Sequence, residues 1–203
     1  MSNENDKNLL EKKDSLVTKP AENMNMTTYI KNEASASLTS KSFSDYAGIG
    51  MNLSGENWGG VDAFVAGKAT NSSLGGFLEG KYTTPKIADS NWSLESRTRL
   101  CTDKPYKADD LSIYMTQRVA GKGNWNLGKG VGIYEIAGVS SKISFQGKGV
   151  QSITPTSITG VSYKVSGKTS IYGEVEVTKP YSLAEKGWKP LGCGVYFGLK
   201  MTL

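Results

Sequence analysis

The sequence contains no histidine, only two cysteines and no long run of apolar residues. Because imidazole is the commonest general base at neutral pH, its absence excludes Ser-His-Asp triads and Cys-His dyads, together with zinc sites that use histidine. Two cysteines are too few for a four-thiolate zinc site. No apolar run reaches the roughly 18 residues of a transmembrane helix. We therefore predict a non-enzymatic protein without a metal, a cofactor or a membrane-spanning helix.

The charge of the chain is modest and scattered. The 203 residues include 24 Lys and Arg against 19 Asp and Glu, for a net charge of +5. The cations occur singly, as at Lys68 and Lys164, and no run of like charges forms a stripe that could follow a phosphate backbone. Nucleic acid is therefore not predicted as a partner.

The first residues differ from the remainder of the chain. Residues 1–25 are polar, without glycine or aromatic residues, and Met1–Leu10 lacks the basic and apolar segments of a secretory signal peptide. Leu9 and Leu10 are compatible with two helical turns, which Pro20 would end. We predict a flexible tail over residues 1–25 and a polar linker or edge strand over residues 26–42.

From residue 43 the apolar residues recur with a period of two. In Leu191–Leu203 every odd position is apolar and every even position is Gly, Tyr, Lys or Thr, which places one kind of side chain on each face of a strand. Similar or weaker alternation covers residues 43–54, 59–69, 73–83, 91–101, 110–120, 129–139, 142–152, 157–166 and 169–179. Strands joined this closely must be antiparallel neighbours, and a sheet without covering helices must close or split. The prediction is an all-β, antiparallel up-and-down barrel of about ten strands, between eight and twelve, over residues 43–203.

A membrane barrel turns its apolar face outward, whereas a soluble barrel turns it inward. Three features favour the membrane version: strands long enough to cross a bilayer, connections that alternate between short and long, and tryptophans that all fall at one predicted rim. The predicted aromatic belt consists of Trp58, Trp92, Trp125 and Trp188. The predicted lumen-lining charges are Glu79, Lys81, Glu95, Arg97, Arg99, Arg118, Lys142, Lys148, Glu174, Glu176 and Lys200.

The terminal run GVYFGLKMTL, with Gly194, Tyr196, Phe197, Gly198 and the closing Leu203, resembles the last strand of small bacterial outer-membrane β-barrel proteins. The resemblance is one of pattern and covers roughly residues 43–203. It implies an outer-membrane protein with transmembrane β-strands, either a small porin-like pore or a structural barrel, with membrane lipid as its partner.

A second interpretation stays open. A soluble, β-rich structural or assembly module, in the cytosol or in a virion, would pack the apolar face into a core and expose the charged face to water. Its tail over residues 1–25 would then bind a protein partner. The direction in which the charged face points decides between the two interpretations.

Three motifs have structural explanations that we favour over chemical ones. Ser162–Thr169 ends like a phosphate-binding loop, but it lies between two predicted strands and is better explained as a hairpin turn. Glu174 and Glu176 share a strand face at a spacing compatible with a glycosidase pair, yet a plain charge pair is favoured. Cys101 and Cys193 fall on opposite faces, which predicts two free thiols.

Overall fold

The computed structural model describes residues 24–107, 109–146 and 149–203. These residues form strands and connections, and no helix long and apolar enough to span a membrane is found among them. The strands are β1 (Asn25–Ser37), β2 (Ser42–Gly55), β3 (Gly59–Thr70), β4 (Ser73–Thr83), β5 (Trp92–Pro105), β6 (Ser112–Gly128), β7 (Val131–Ser144), β8 (Gly149–Lys164), β9 (Thr169–Thr178), β10 (Tyr181–Ser182), β11 (Gly187–Trp188) and β12 (Gly192–Thr202).

The sheet closes on itself. Strands β1 to β9 pair in sequence order, and β12 pairs with both β9 and β1, so every strand of this set has two antiparallel neighbours. The short β10–β11 hairpin extends the wall beside β8 at one end. The predicted all-β antiparallel barrel of about ten strands is confirmed, and closure removes the two edges that the ten-strand sheet would otherwise have.

The count of ten strands is right, although two of the predicted assignments are wrong. Residues 25–37, taken as part of a tail and a polar linker or edge strand, form β1 and pair with β2 along their whole length. Outward positions of β1 include Asn32, Ala34 and Ala36, so its apolar alternation is faint. The barrel therefore begins at Asn25 and not at residue 43. The predicted tail over residues 1–23 lies outside the described residues.

Three predicted strands between residues 129 and 166 are in fact two. Strand β7 runs on to Ser144, and β8 continues through Pro155, a residue that favours a strand break. The Pro155 carbonyl accepts a hydrogen bond from the Lys179 N–H, just beyond the last β8–β9 pair. The N–H that proline lacks would point to the same side, so only one hydrogen bond at the end of that ladder is lost.

The two faces of the barrel wall differ sharply. Among the described strands, the outward ionisable side chains are Asp45, Lys104 and Glu135, all near strand ends, whereas charged side chains at mid-strand face inward. Directly paired outward residues form one apolar row across nine strands. This row, called the apolar row below, is Met201, Ile30, Ile49, Val65, Leu78, Leu100, Met115, Ile143 and Val150.

The two ends of the barrel carry connections of mixed length. At the first rim, where β1 begins, the connections are residues 56–58, 84–91, 129–130 and 165–168. At the second rim they are residues 38–41, 71–72, 106–111, 145–148 and 179–191. The predicted alternation of short and long connections is therefore not observed. Residues 165–168 do form the turn that we favoured over a phosphate-binding loop.

Gly48 allows β2 and β3 to approach closely. It faces inward, and a Cβ atom placed there would lie 2.1 Å from the backbone oxygen of Val65 and 2.7 Å from the Cβ of Ala66. We expect Gly48→Ala to destabilise the barrel by about 1–3 kcal/mol through overpacking. Gly80→Ala, whose new Cβ meets nothing within 4 Å, is the matched control and should stay within about 0.5 kcal/mol. Urea unfolding in detergent measures both, and equal effects would contradict the close approach.

Candidate functional site

The barrel interior is partly filled by two apolar clusters on different walls. Tyr29, Tyr46, Phe64 and Phe77 stack on strands β1 to β4, with neighbouring ring centroids 5.1–6.0 Å apart. A smaller cluster of Ala120, Ile136 and Ile158 lies on strands β6 to β8. Aromatic rings have room at several places because glycine lies opposite them, as Gly50 does opposite Tyr29. These clusters leave less space than the strand number alone would give.

Between the two walls lies a set of ion pairs, called the charge layer below, made of Glu79, Glu95, Arg97, Arg99 and Arg118. Arg99 donates to one Glu79 oxygen from Nε at 2.9 Å and from Nη2 at 2.5 Å. Arg118 donates from Nη2 to Glu95 at 2.5 Å, and the two side chains are only 5% and 2% exposed. Ion pairs this buried persist only when both partners are present.

The remaining interior carboxylates of the described strands accept hydrogen bonds from tyrosines. Tyr29 donates to Asp62 at 2.6 Å, Tyr114 to Asp103 at 2.7 Å and Tyr134 to Glu174 at 2.5 Å. The same arrangement joins Tyr172 to Glu33 and Tyr196 to Glu176. Each interior carboxylate in the described part of the chain therefore has a donor, because those of the charge layer have arginines.

The cations are less completely matched. Lys31 and Lys68 have carboxylate partners in Glu33 and Asp103. Within the described residues, Lys81, Lys142 and Lys200 have none: the Lys142 ammonium lies 4.1 Å from the Tyr114 ring centre, and the Lys200 ammonium 3.7 Å from that of Tyr29. The barrel interior consequently has an excess of positive charge.

Two interior cavities adjoin the charge layer. The first cavity, of about 240 Å³, lies toward the first rim and is lined by Lys81, Lys122 and Lys200 among others. The second cavity, of about 310 Å³, lies toward the second rim and includes Glu33 and Glu176 in its lining. Arginines 97, 99 and 118 line both cavities, so both cavities adjoin the charge layer.

Most of the predicted lumen-lining residues face the interior. The charge layer contains five of them, and Lys81, Lys142, Glu174, Glu176 and Lys200 also point inward. Lys148 lies outside the described residues. The interior positions that sequence reasoning missed are Lys31, Glu33, Asp62, Lys68, Asp103, Lys122 and the tyrosines that donate to carboxylates. The alternation of residues along each strand was the available signal. The predicted strands omit β1 and end before Asp103 on β5 and Lys122 on β6, while Asp62 and Lys68 lie within a predicted strand and were overlooked.

The predicted aromatic belt divides between the two rims. Trp58, Trp92 and Trp125 lie at or near the first rim, whereas Trp188 belongs to β11 in the connection at the second rim. The expectation of one shared rim is therefore wrong for Trp188. The error follows from the miscounted strands, because an extra strand after β6 reverses the direction assigned to the chain. Trp188 packs edge-on against Tyr181, with ring centroids 5.2 Å apart.

The remaining reactive side chains form no further site. Cys101 is buried on the inner face and Cys193 lies on the outer face, so the two are free thiols on opposite faces, as predicted. Within the described residues, no group of three or more cysteine and acidic side chains is placed to hold a metal ion. The groups that carry the chemistry of this interior are its arginines, lysines, carboxylates and tyrosines.

Comparison with known proteins finds likeness in structure alone. No family model matches the chain, and no curated protein does. OmpT of Vibrio cholerae, an outer membrane protein, matches with 8% identity and a TM-score of 0.37, over 79% of this chain and 56% of that protein. Neisserial surface protein A matches with 14% identity and a TM-score of 0.34, over 89% and 99% of the two chains. The outer membrane protease OmpT of Escherichia coli matches with 10% identity and a TM-score of 0.36, over 91% and 98%.

Proposed function

We propose that this protein is a membrane-inserted barrel, placed in an outer membrane, whose interior is closed by the charge layer. It would act as a structural barrel and not as an open diffusion pore. The observation that carries this proposal is the polarity of the wall, apolar outside and ionic inside. That arrangement suits a barrel surrounded by lipid and is the reverse of a soluble one.

The exterior supports insertion through its length and its composition. The ten barrel strands have between 10 and 17 residues, enough for the roughly 9–11 that cross a hydrocarbon core at a tilt. Leu78, Val65 and Ile49 in the apolar row are 57%, 52% and 48% exposed. Such a surface in water would be an aggregation hazard, since exposed apolar patches on soluble proteins are much smaller.

Aromatic residues at the two rims fit the interfaces of such a membrane. Trp58, Trp92 and Trp125 are assigned to the interface at the first rim, where Tyr82 also donates to the Trp58 backbone oxygen at 2.9 Å. Trp188 is assigned to the interface at the second rim. Tryptophan and tyrosine favour this depth because one part of the ring is apolar and another can hydrogen-bond to water or headgroups.

The soluble alternative fits these observations less well. A soluble assembly module would require partners to cover the apolar row across most of the barrel circumference, while its interior would be an ionic and not an apolar core. The proposal includes no enzymatic step, because the interior carboxylates are held by tyrosines, lysines and arginines.

Conductance in planar lipid bilayers tests the closed interior. We expect no steady conductance from the unmodified protein, since the paired side chains of the charge layer and the two apolar clusters occupy the barrel interior. The fourfold variant Glu79→Ser, Arg99→Ser, Glu95→Ser and Arg118→Ser removes each acid with its closest arginine and should conduct steadily. Glu185→Ser with Lys189→Ser, an ion pair in the connection at the second rim, is the control and should stay closed. Open steps of equal size from the unmodified protein would contradict the proposal.

A further inference from the structure

The first cavity has more cations than its carboxylates can match. Seven basic side chains line it, against the four carboxylates Asp62, Glu79, Glu95 and Glu174. Those four carboxylates already have donors in tyrosines or arginines. The side chains that line this cavity therefore have a net positive charge that a bound anion would balance.

Three of the cavity's basic groups show where an anion could bind. Among the described residues, no carboxylate lies within 4 Å of the Lys81 or Lys200 ammonium, and both lysines line the cavity. Arg97 reaches Glu79 only at 3.8 Å, while Glu79 is held more closely by Arg99. A buried donor without an acceptor is costly, since it has given up water without a replacement.

The most specific observation concerns Arg118. Arg118 is 5% exposed, and its Nε atom has no hydrogen-bond partner although it is fully buried. Its Nη2 atom donates to Glu95, which holds the guanidinium in place while the Nε–H makes no hydrogen bond. The Arg118 guanidinium lines the first cavity, and a guanidinium held in place there is a preorganised contact for an anion.

We propose that the first cavity binds a small tetrahedral oxyanion of the phosphate or sulfate class. The donors come from several directions, since Lys81 is on β4, Arg97 on β5, Arg118 and Lys122 on β6, and Lys200 on β12. An anion with oxygens on all sides can meet such donors, whereas a planar monocarboxylate presents only two oxygens. A volume of about 240 Å³ admits one such ion with bridging water.

Calorimetric titration of the full chain in detergent micelles with inorganic phosphate tests this site. We expect saturable binding that sodium chloride of equal ionic strength does not reproduce, because chloride cannot bridge donors on several strands. Lys81→Gln with Lys200→Gln should weaken binding about tenfold or more, since two charge-assisted contacts are lost and no carboxylate is left unpaired. Lys142→Gln, which removes a lysine that does not line the first cavity, should leave binding within about twofold.

Competition experiments distinguish a free phosphate ion from a phosphate group carried by a larger molecule. If glucose 6-phosphate displaces phosphate, the ligand of the first cavity is a phosphomonoester. If glucose 6-phosphate does not bind, the ligand is the free ion. The absence of saturable phosphate binding would overturn the site, as would equal affinity in the lysine double variant and the Lys142→Gln control. If the double variant does not fold, each single lysine variant gives the same comparison. Because binding is measured in micelles, the result is independent of bilayer conductance.

Discussion

Replacing Glu95 by glutamine is expected to destabilise the barrel by about 3–5 kcal/mol, the cost of leaving a buried charge without its partner. Glu95 is 2% exposed and holds Arg118, which is also almost fully buried. Without this carboxylate, the amide oxygen of the new glutamine could still accept a hydrogen bond, but Arg118 would lose its paired negative charge while Arg97 and Lys122 line the same interior. Urea unfolding in detergent, followed by tryptophan fluorescence, measures the loss.

The reverse substitution should cost less. Arg118→Gln leaves Glu95 near the Lys122 ammonium, which lies 3.9 Å from the second carboxylate oxygen. The double variant Glu95→Gln with Arg118→Gln should recover most of the stability, because neither charge is then left unpaired. Glu185→Gln, in the exposed Glu185–Lys189 pair, is the control and should change stability by no more than about 0.5 kcal/mol. A loss at Glu95 no larger than that at Glu185 would show that water reaches the charge layer.

An arginine in place of Leu78 should destabilise the inserted barrel by about 2–4 kcal/mol, whereas an arginine in place of Leu74 should cost about 1 kcal/mol or less. Both leucines are on the outer face of β4 and have nearly equal exposure, 57% and 58%. Leu78 lies at mid-strand in the apolar row, while Leu74 is the second residue of the strand at the second rim. The difference in cost reports the depth of each position in the bilayer.

The same pair of variants separates lipid from water outside the barrel. On a soluble protein, both substitutions would place a charge on an exposed surface and change stability by similar, small amounts. The unfolding free energy should be measured in lipid vesicles and compared between the two variants. Equal costs at Leu78 and Leu74 would contradict membrane insertion, even if the barrel itself is folded.

The sequence predicted which residues share a face of a strand wherever the two faces differ strongly in polarity. Strand β5 places Glu95, Arg97 and Arg99 on one face and Leu94 and Leu100 on the other, and the structure keeps that division. A shift of the strand register by one residue would move every side chain to the opposite face, so the alternation strongly favours one register. The predicted interior positions on β4, β5, β9 and β12 followed from this signal alone.

The alternation of apolar and polar residues did not reveal a strand where the outward residues are small or polar. Asn32 and Ala34 on β1 give no apolar signal, yet the pairing of β1 with β12 and β2 is what closes the barrel. The predicted strand over residues 110–120 stops before Gly121 and Gly123, whereas β6 includes both; a Cβ atom on Gly123 would overlap the Trp125 ring. The place of β1 is explained by its partners on other strands, which the sequence of a single strand does not show.

The lack of histidine and the alternation of apolar with charged residues predicted by themselves a β-barrel with one face of lysine, arginine and carboxylates. These properties follow from composition and from the two-residue period of a strand. That this face points inward was decided by the tertiary structure. Which cation meets which carboxylate was decided only by the tertiary structure. Arg99 reaches Glu79 across adjacent strands, and Tyr172 reaches Glu33 from a residue far along the chain. Register and closure set those contacts because they decide which side chains meet inside the barrel. In the described part of the chain they leave Lys81 and Lys200 without a carboxylate within 4 Å and the Arg118 Nε atom without an acceptor.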